Sequence, residues 1–240
     1  MAFGRMVSRA GVAGGGAPNR GDARLPKEGG QMSSRAAVAA AYRELGRRGF
    51  TPGSAGNVSL RLRGGMFITP SGVEAGAVTA AGIVRLAKNG RATGGVPSSE
   101  APMHQAIYRA FPAAGAIIHT HAEAGTALAC LGQPIPAFHY MVVAFGGADI
   151  RCAPYVTFGT PDLARAAVAA LDGRRACLLA NHGVIVHAPD LAAALADAIV
   201  LESLARQYLL ARAAGTVRVL TAAEVTSAAA RFASYQRAGG

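Results

Sequence analysis

Two histidines, His119 and His121, follow directly after the apolar run 113–118 and are separated by one threonine. In a β-strand, residues i and i+2 point to the same face and lie about 7 Å apart along the chain. Imidazole nitrogens bind zinc at about 2.0 Å, so two such rings can turn onto a single ion. The pair therefore predicts two ligands of a metal site, although His-x-His also occurs at strand ends that bind nothing.

Two further residues are candidates for the same ion. His182 precedes Gly183 in a predicted turn between two strands, from which its ring can reach past the strand ends. Glu100 opens a predicted helix, where an acidic residue is also expected because it interacts favourably with the helix dipole. Three histidines and one displaceable carboxylate form a ligand set suited to catalytic zinc.

Three loops, at residues 54–57, 69–72 and 97–99, are dense in glycine, serine and asparagine. Glycine lets the backbone approach a ligand closely, and serine and asparagine add short hydrogen-bond donors. The third loop leads into a helix, whose free amide groups and dipole favour an anion. Together the loops predict a phosphate cradle that needs no lysine, although each loop alone is also compatible with an ordinary turn.

The hydrophobic pattern predicts the elements that must hold these residues. Helices are predicted over residues 33–49, with Ser33 and Ser34 as caps, and over 100–111, 122–131, 161–171, 190–214 and 222–233. Strands are predicted over 58–62, 66–69, 83–86, 116–120, 177–180 and 184–187. Interleaved helices and strands with several hairpins indicate one α/β domain with a mixed sheet.

The first 30 residues differ in composition from the rest of the chain. They hold eight glycines, five basic and two acidic residues, and no apolar run of the kind found in a secretory signal. We predict a flexible glycine- and arginine-rich tail over 1–30 and a single domain over 31–240.

The formal net charge is +11, which raises the question of nucleic-acid binding. Outside the tail the basic residues are mostly single arginines without interleaved aromatic residues, so we expect no nucleic-acid partner. No apolar stretch of about 20 residues is free of charges and helix breakers, so we also expect no membrane partner.

Three cysteines, Cys130, Cys152 and Cys177, form an odd and sparse set with no Cys-x-x-Cys pair. Such a set is typical of reduced, buried thiols, and it predicts a cytoplasmic protein.

Seven short motifs, in order along the chain, resemble those of the class II aldolase/adducin family. They lie at residues 53–59, 68–72, 97–100, 119–121, 135–141, 152–160 and 181–183. The resemblance extends over residues 33–236, nearly everything outside the tail. It implies a three-layer αβα fold around a central mixed, largely antiparallel sheet.

The resemblance also implies a role for each group of residues. Zinc, or another divalent metal, would be bound by Glu100, His119, His121 and His182. The sugar phosphate would be bound by Ser54, Asn57, Ser71, Gly72, Ser98 and Ser99, with Phe158 lining the aldehyde pocket. Tyr140 and Tyr235 match the family's active-site tyrosines, and Tyr140 would reach the site of a neighbouring subunit. A homotetramer with active sites at the subunit interfaces is therefore implied.

The implied activity is that of a metal-dependent lyase of carbohydrate metabolism. It would reversibly cleave a ketose 1-phosphate, such as L-fuculose 1-phosphate, into dihydroxyacetone phosphate and an aldehyde. Zinc would stabilise the enediolate, Glu100 would exchange its proton, and Tyr140 would trade a proton with the aldehyde oxygen.

Several alternatives to this activity stay open. A 5-deoxypentulose phosphate is an alternative substrate for the same reaction. The family also contains sugar-phosphate 4-epimerases, dehydratases and decarboxylases, which use similar metal ligands. A non-catalytic adducin-like binding module is disfavoured by the complete set of ligands.

Overall fold

The computed structural model describes residues 31–238, with side chains described over residues 33–234. The predicted tail over residues 1–30 lies outside the described residues. The α-helices of the described range are α1 (Gln31–Arg47), α2 (Ala101–Ala110), α3 (Glu123–Cys130), α4 (Pro161–Ala170), α5 (Leu191–Ala214) and α6 (Ala222–Ala238). Short 3₁₀ helices cover Ala75–Ala77 and Tyr140–Phe145.

One nine-stranded sheet lies at the centre of the described chain, in the order β4-β3-β2-β1-β5-β9-β8-β7-β6. Its strands are β1 (Asn57–Leu62), β2 (Gly65–Ile68), β3 (Val84–Ala87), β4 (Ala92–Thr93), β5 (Ala116–Thr120), β6 (Ile135–Pro136), β7 (Asp149–Ala153), β8 (Ala176–Leu179) and β9 (Gly183–Ala188). Of the neighbouring pairs only β7 and β8 run parallel. The prediction of a mixed, largely antiparallel sheet is confirmed.

Both faces of the sheet are covered by helices, which gives three layers and two apolar cores. One core joins α1, α3 and α5 to one face of the sheet, and the other joins α2 and α4 to the opposite face. Strand β5 alternates between them, with Ile118 in the first core and Ile117 in the second. His119 continues the alternation, so its side chain faces the layer that contains α2.

The structure contains strands that sequence patterns did not predict. No strand is predicted around Pro134 and Pro136, yet Ile135 and Pro136 pair with β7 as an edge strand. Proline is tolerated there because an edge strand leaves one row of backbone groups unpaired. Strand β7 was missed because Asp149 and Arg151 interrupt its apolar pattern, and β4 because it has only two residues.

The predicted caps of one helix are wrong, and the buried face of another contains more alanine than its pattern indicates. Helix α1 begins at Gln31, so Ser33 and Ser34 lie inside it and do not cap it. On α5 the spacing of Leu191, Leu195, Ile199, Leu204 and Tyr208 predicts an amphipathic helix. Leu204 is buried in the first core, and Leu191, Leu195 and Tyr208 are partly buried against it. The buried face consists mainly of Ala194, Ala198, Leu201 and Ala205, because small side chains let a long helix approach the sheet closely.

Two features bear on the expected surroundings of the chain. Cys177 is buried, Cys152 is partly buried, and Cys130 is exposed at the end of α3, so the expectation of buried thiols is wrong for Cys130. None of the described helices combines the length and the apolar character that a membrane span requires.

Candidate active site

His119 lies on the central strand β5 and is fully buried, and His121 follows just after the strand ends. Asn57 of β1 is the direct cross-strand partner of His119, so their side chains share one face of the sheet. The backbone amide of His121 donates to the carbonyl of Phe50 at 3.0 Å, which holds the chain after the strand. The sheet register therefore positions both imidazoles.

His182 is held by the tight turn between β8 and β9. Asn181 adopts a left-handed conformation with φ of 54°, which asparagine tolerates better than most residues. The amide of His182 donates to Leu179, and the amide of Asn181 donates to Ala129 of α3, both across about 3 Å. The turn is thus tied to its own strand and to a neighbouring helix.

Glu100 lies at the N-cap position of α2, and its carboxylate meets the histidines. Its Oε2 lies 2.9 Å from Nε2 of His119, and its Oε1 lies 3.2 Å from Nε2 of His182. Nε2 of His119 is also 2.9 Å from Nε2 of His121. One ligand atom from each of these four residues lies within 4.8 Å of the other three. The structure brings together all four predicted metal ligands.

Asn57 completes the surroundings of the carboxylate. Its side-chain amide donates to Oε2 of Glu100 across 3.0 Å, and only 3% of Asn57 is exposed. The backbone amide of Glu100 donates a hydrogen bond to the hydroxyl of Ser98 across 3.3 Å. Both contacts fix the position of Glu100, although Asn57 and Ser98 were predicted as phosphate ligands.

The electrostatics of the cluster favour an ionised carboxylate. Burial raises the pKa of Glu100, but His119 and His182 more than offset it, so the pKa lies well below its usual range. Burial lowers the pKa of His119, but Glu100 raises it by a larger amount, so the net shift is upward. Burial and the neighbouring His119 and His182 lower the pKa of His121 to about 4. The site therefore concentrates one negative charge among imidazoles.

The tautomer of His119 indicates that this cluster suits a cation. Its Nδ1 lies 2.9 Å from the carbonyl oxygen of Val184, and a carbonyl only accepts, so Nδ1 carries the proton. In neutral His119 the Nε2 atom then carries a lone pair. Its two neighbours, Nε2 of His121 and Oε2 of Glu100, are also electron-rich, so lone pairs meet at this point. A divalent metal would make this convergence favourable, and three imidazoles with one carboxylate suit zinc. The residues present therefore fit the implied metal.

Glu100, His121 and His182 of the cluster line the buried end of a cleft of about 400 Å³. The predicted phosphate ligands Ser54, Asn57, Ser71, Gly72, Ser98 and Ser99 all line it, together with Phe158. Ser54, Ser71, Gly72, Ser99 and Phe158 are exposed, so the cleft opens from the buried cluster toward solvent. The three loops therefore converge as predicted, and no lysine or arginine is among the residues described as lining the cleft.

Two of the loops are joined to each other by backbone hydrogen bonds. The amide of Ser98 donates to Thr69, and the amide of Ser71 donates to Val96, at 3.1 and 3.0 Å. Pro70 and Pro97 form an isolated bridge between them. These bonds hold the serine hydroxyls at a fixed spacing around the opening of the cleft.

Tyr140, one of the two predicted active-site tyrosines, lies away from this cleft in a single chain. Tyr140 begins the second 3₁₀ helix, is 56% exposed and stacks on Phe232 with ring centroids 6.0 Å apart. It is not among the residues that line the cleft. Tyr235 lies on α6, and its side chain is outside the described part of the chain.

Sequence reasoning missed the residues that support the cluster. The carbonyl of Val184 orients His119, and only the sheet register could have indicated it. Glu202 of α5 accepts the amides of Ala124 and Gly125 at the start of α3, each across 2.8 Å. The available signal for Glu202 was an acid inside a largely apolar part of α5, a signal that it shares with Asp197.

A buried polar group lies beneath the site, on the α2 face of the sheet. The hydroxyl of Ser59 lies 2.7 Å from Nδ1 of His104 and 2.8 Å from the hydroxyl of Tyr108. Burial is the main cause that lowers the pKa of His104 to about 3, so its ring is neutral at physiological pH. This group ties β1 to α2, the helix that Glu100 precedes.

A family model and a solved structure match most of the chain. The family model described as the class II aldolase and adducin N-terminal domain matches residues 36–209. A solved structure of an L-fuculose 1-phosphate aldolase superposes with a TM-score of 0.79 at 36% identity, covering 88% of this chain and 99% of that one.

Two curated relatives illustrate the range of named substrates. A 5-methylthioribulose-1-phosphate/5-deoxyribulose-1-phosphate aldolase of Rhodospirillum rubrum is 43% identical over 86% of this chain and 94% of the relative. An L-fuculose phosphate aldolase of Escherichia coli O6:H1 is also 43% identical, over 80% of this chain and 90% of the relative. Both relatives are named as aldolases, and their names give different sugar phosphates.

Proposed function

The chain belongs to the class II aldolase and adducin family, as a carbon–carbon lyase of its aldolase type, and on that premise we propose a zinc-dependent ketose-1-phosphate aldolase. The enzyme reversibly cleaves an L-fuculose 1-phosphate-like ketose into dihydroxyacetone phosphate and an aldehyde. The observation that carries the proposal is the convergence of Glu100, His119, His121 and His182 at the buried end of a cleft lined by three serine-rich loops.

The phosphate of the substrate binds at the exposed end of the cleft. Hydroxyls of Ser71 and Ser99 and the backbone near Gly72 supply donors there, and the start of α2 adds a favourable dipole. A neutral cradle of this kind needs no lysine. Anchoring the phosphate there directs the other end of the ketose toward the histidines and lowers the entropy lost in reaching the transition state.

The metal, bound by Glu100, His119, His121 and His182, supplies Lewis-acid chemistry that stabilises negative charge on the substrate oxygens. Glu100 exchanges the proton at the carbon exposed when the C3–C4 bond breaks. Asn57, which donates to Glu100, orients the carboxylate for the transfer.

In the cleavage direction Tyr140 of a neighbouring subunit takes the proton of the C4 hydroxyl as the aldehyde forms, while Glu100 delivers a proton to C3. In the reverse direction Tyr140 returns a proton to the aldehyde oxygen. In a single chain Tyr140 is exposed and does not line the cleft, which agrees with a role in another subunit's site. We propose a homotetramer with active sites at its interfaces, and Tyr235 of α6 as a further tyrosine at that site.

Phe158 lines the aldehyde end of the cleft and is 66% exposed, so it presents an apolar surface to the leaving aldehyde. Such a surface suits the methyl terminus of a deoxy sugar. L-Fuculose 1-phosphate and 5-deoxyribulose 1-phosphate, which are named for the relatives, both end in one. Both therefore belong in the substrate test.

The test incubates the full chain with a panel of ketose 1-phosphates and measures dihydroxyacetone phosphate with a coupled dehydrogenase. We expect release from a 6-deoxy or 5-deoxy ketose 1-phosphate and at least a hundredfold slower release by Glu100→Gln, in line with the loss of a general base of about 10²-fold. The matched control is Glu123→Gln, which alters an exposed acid away from the cleft and should retain wild-type activity.

The outcome also separates the alternatives within the family. If no ketose 1-phosphate releases dihydroxyacetone phosphate but one of them is epimerised or dehydrated, the aldolase proposal is replaced by an epimerase or a dehydratase. Equal activity of wild type and Glu100→Gln would contradict the proposed role of the carboxylate.

A further inference from the structure

A second cavity, of about 340 Å³, lies on the α2 face of the sheet and shares no lining residue with the active-site cleft. Its floor is apolar and buried, formed by Leu62, Met66, Leu86 and the ring of Tyr108. The volume lies within the range of small-molecule sites, which begins at roughly 300 Å³. The aldolase chemistry proposed above makes no use of this cavity.

Three cations surround this apolar floor. Lys88 and Arg109 are exposed at the rim, and Arg61 forms one wall. Within the described part of the chain no Asp or Glu lines the cavity, and none of these cations forms an ion pair. The cavity therefore has a positive electrostatic potential that its own residues do not neutralise.

Arg61 is fixed in place. Its guanidinium donates to the carbonyls of Tyr108 and Phe111, at 2.7 and 2.8 Å, and to that of Ala114. It also lies over the ring of Tyr108, 4.5 Å from the centroid. These contacts hold a positive charge rigidly beside the apolar floor, so a ligand would meet it without the cost of ordering a long side chain.

We propose that this cavity binds a small organic anion, a phosphate or carboxylate that carries an apolar group. The apolar group occupies the floor, and the headgroup lies between Lys88 and Arg109, which offer flexible and forked donors respectively. A protein partner fits less well, because lysine is depleted from the cores of protein interfaces and the cavity has the size of a small-molecule site.

The experiment uses the full chain labelled with ¹³C at the methionine methyl groups. Met66 lines the cavity and Met103 does not, so the Met66 methyl resonance, assigned with Met66→Leu, reports binding here and not in the active-site cleft. Phenyl phosphate and 3-phenylpropionate are the probes and distinguish the two headgroups. Inorganic phosphate lacks the apolar group, and benzyl alcohol lacks the charge.

We expect phenyl phosphate, 3-phenylpropionate or both to shift Met66 saturably, and inorganic phosphate and benzyl alcohol to bind at least about tenfold more weakly. Lys88→Ala/Arg109→Ala should weaken probe binding about tenfold or more. The matched control Arg63→Ala/Arg91→Ala removes the same charge from exposed positions that do not line the cavity, and Arg91 lies in the same turn as Lys88.

Thermal unfolding of both double variants verifies that they remain folded. The proposal is overturned if neither probe shifts Met66, or if both double variants bind the probes equally. Because the readout is binding at Met66, either result leaves the proposed aldolase activity unaffected.

Discussion

Gly183 packs against the metal cluster so closely that a single added methyl group would disturb it. A Cβ at this position would lie 2.5 Å from the carbonyl oxygen of Thr120 and 3.1 Å from Cδ2 of His121. Gly183→Ala must therefore push the β8–β9 turn away from β5 and separate His182 from His121. We expect zinc affinity to fall about 10- to 100-fold, as for other changes that displace metal ligands indirectly.

Zinc titration against a competing chelator measures this change. The control is Gly76→Ala, where a Cβ would have no atom within 4 Å and no positive φ is required. Wild-type affinity in Gly183→Ala would contradict the close packing inferred for the cluster.

The identity of the candidate ligands could be predicted from residue types and spacing, but their support could not. His119, His121, His182 and Glu100 stand out because imidazoles and a carboxylate suit a metal, and the structure brings their ligand atoms together. The carbonyl of Val184 carries no such chemical signal, since every residue has a carbonyl. Only the pairing of β5 with β9 reveals that it orients His119.

At the scale of elements, the start of α3 depends on a carboxylate from another helix. Glu202 of α5 accepts the amides of Ala124 and Gly125, which otherwise have no partner within their own helix. We expect Glu202→Ala to lower the free energy of unfolding by about 1 kcal/mol, because these amides lose an acceptor in a half-buried setting.

Urea or thermal unfolding measures this loss of stability. Gln207→Ala, an exposed position on the same helix, is the control and should change stability by less than about 0.5 kcal/mol. Equal stability of the two variants would show that the contact between α3 and α5 is dispensable.

Helix α6 begins with a reciprocal cap between Thr221 and Glu224. The Glu224 amide donates to the Thr221 hydroxyl, and the Thr221 amide donates to the Glu224 carboxylate. The pKa of Glu224 is lowered from its ordinary 4.5 to about 2. The largest cause is the hydrogen bond from the Thr221 amide, and the second is the hydrogen bond from Arg218. Because the folded pKa is the lower one, this stabilisation is complete above 4.5 and is lost as the pH falls toward 2.

A ¹³C titration of the Glu224 carboxyl measures this pKa. We expect a value near 2 in the wild-type chain and a higher value, still below 4.5, in Thr221→Ala, which removes the hydroxyl but keeps the backbone amide and Arg218. An ordinary pKa in the wild-type chain would contradict the cap.

Long elements with regular patterns were predictable, and short or interrupted ones were not. The predicted range of α4 agrees with the structure within one residue, and Thr160 caps this helix by accepting the amide of Leu163. Strands β4, β6 and β7 are short or interrupted by charge or proline, and they form because neighbouring strands offer free backbone groups. On α5, alanine carried too little hydrophobic signal to reveal the buried face.

At the scale of the whole molecule, the proposed active site is divided between subunits. Glu100→Gln would inactivate the site to which its own subunit contributes the metal ligands. Tyr140→Phe would instead inactivate the site of the neighbouring subunit that receives the tyrosine. Subunits mixed in equal amounts after mild dissociation should therefore restore about a quarter of the sites, in a closed oligomer with random exchange. Dihydroxyacetone phosphate release measures the recovery.

Each variant alone, treated in the same way, is the control. Analytical ultracentrifugation should give a mass several times the 24.2 kDa of one chain. A single-chain mass together with full activity would contradict a site shared between subunits.

The three-layer architecture followed from the family resemblance, and the order of strands followed only from the structure. Residue patterns indicate which faces are apolar, but they do not indicate that β5 lies between β1 and β9. That placement brings residues 57, 119 and 184 together across three strands, through pairings between segments distant in sequence. Such pairings depend on packing throughout the sheet and leave no local signal.

The central claim is that the cluster of Glu100, His119, His121 and His182 binds a zinc ion on which aldol cleavage depends. The most direct measurement is metal content by mass spectrometry, together with dihydroxyacetone phosphate release before chelation, after chelation and after zinc is restored. We predict about one zinc ion per chain, loss of activity with the metal, and recovery on adding zinc. Full activity in protein freed of all divalent metal would contradict the account.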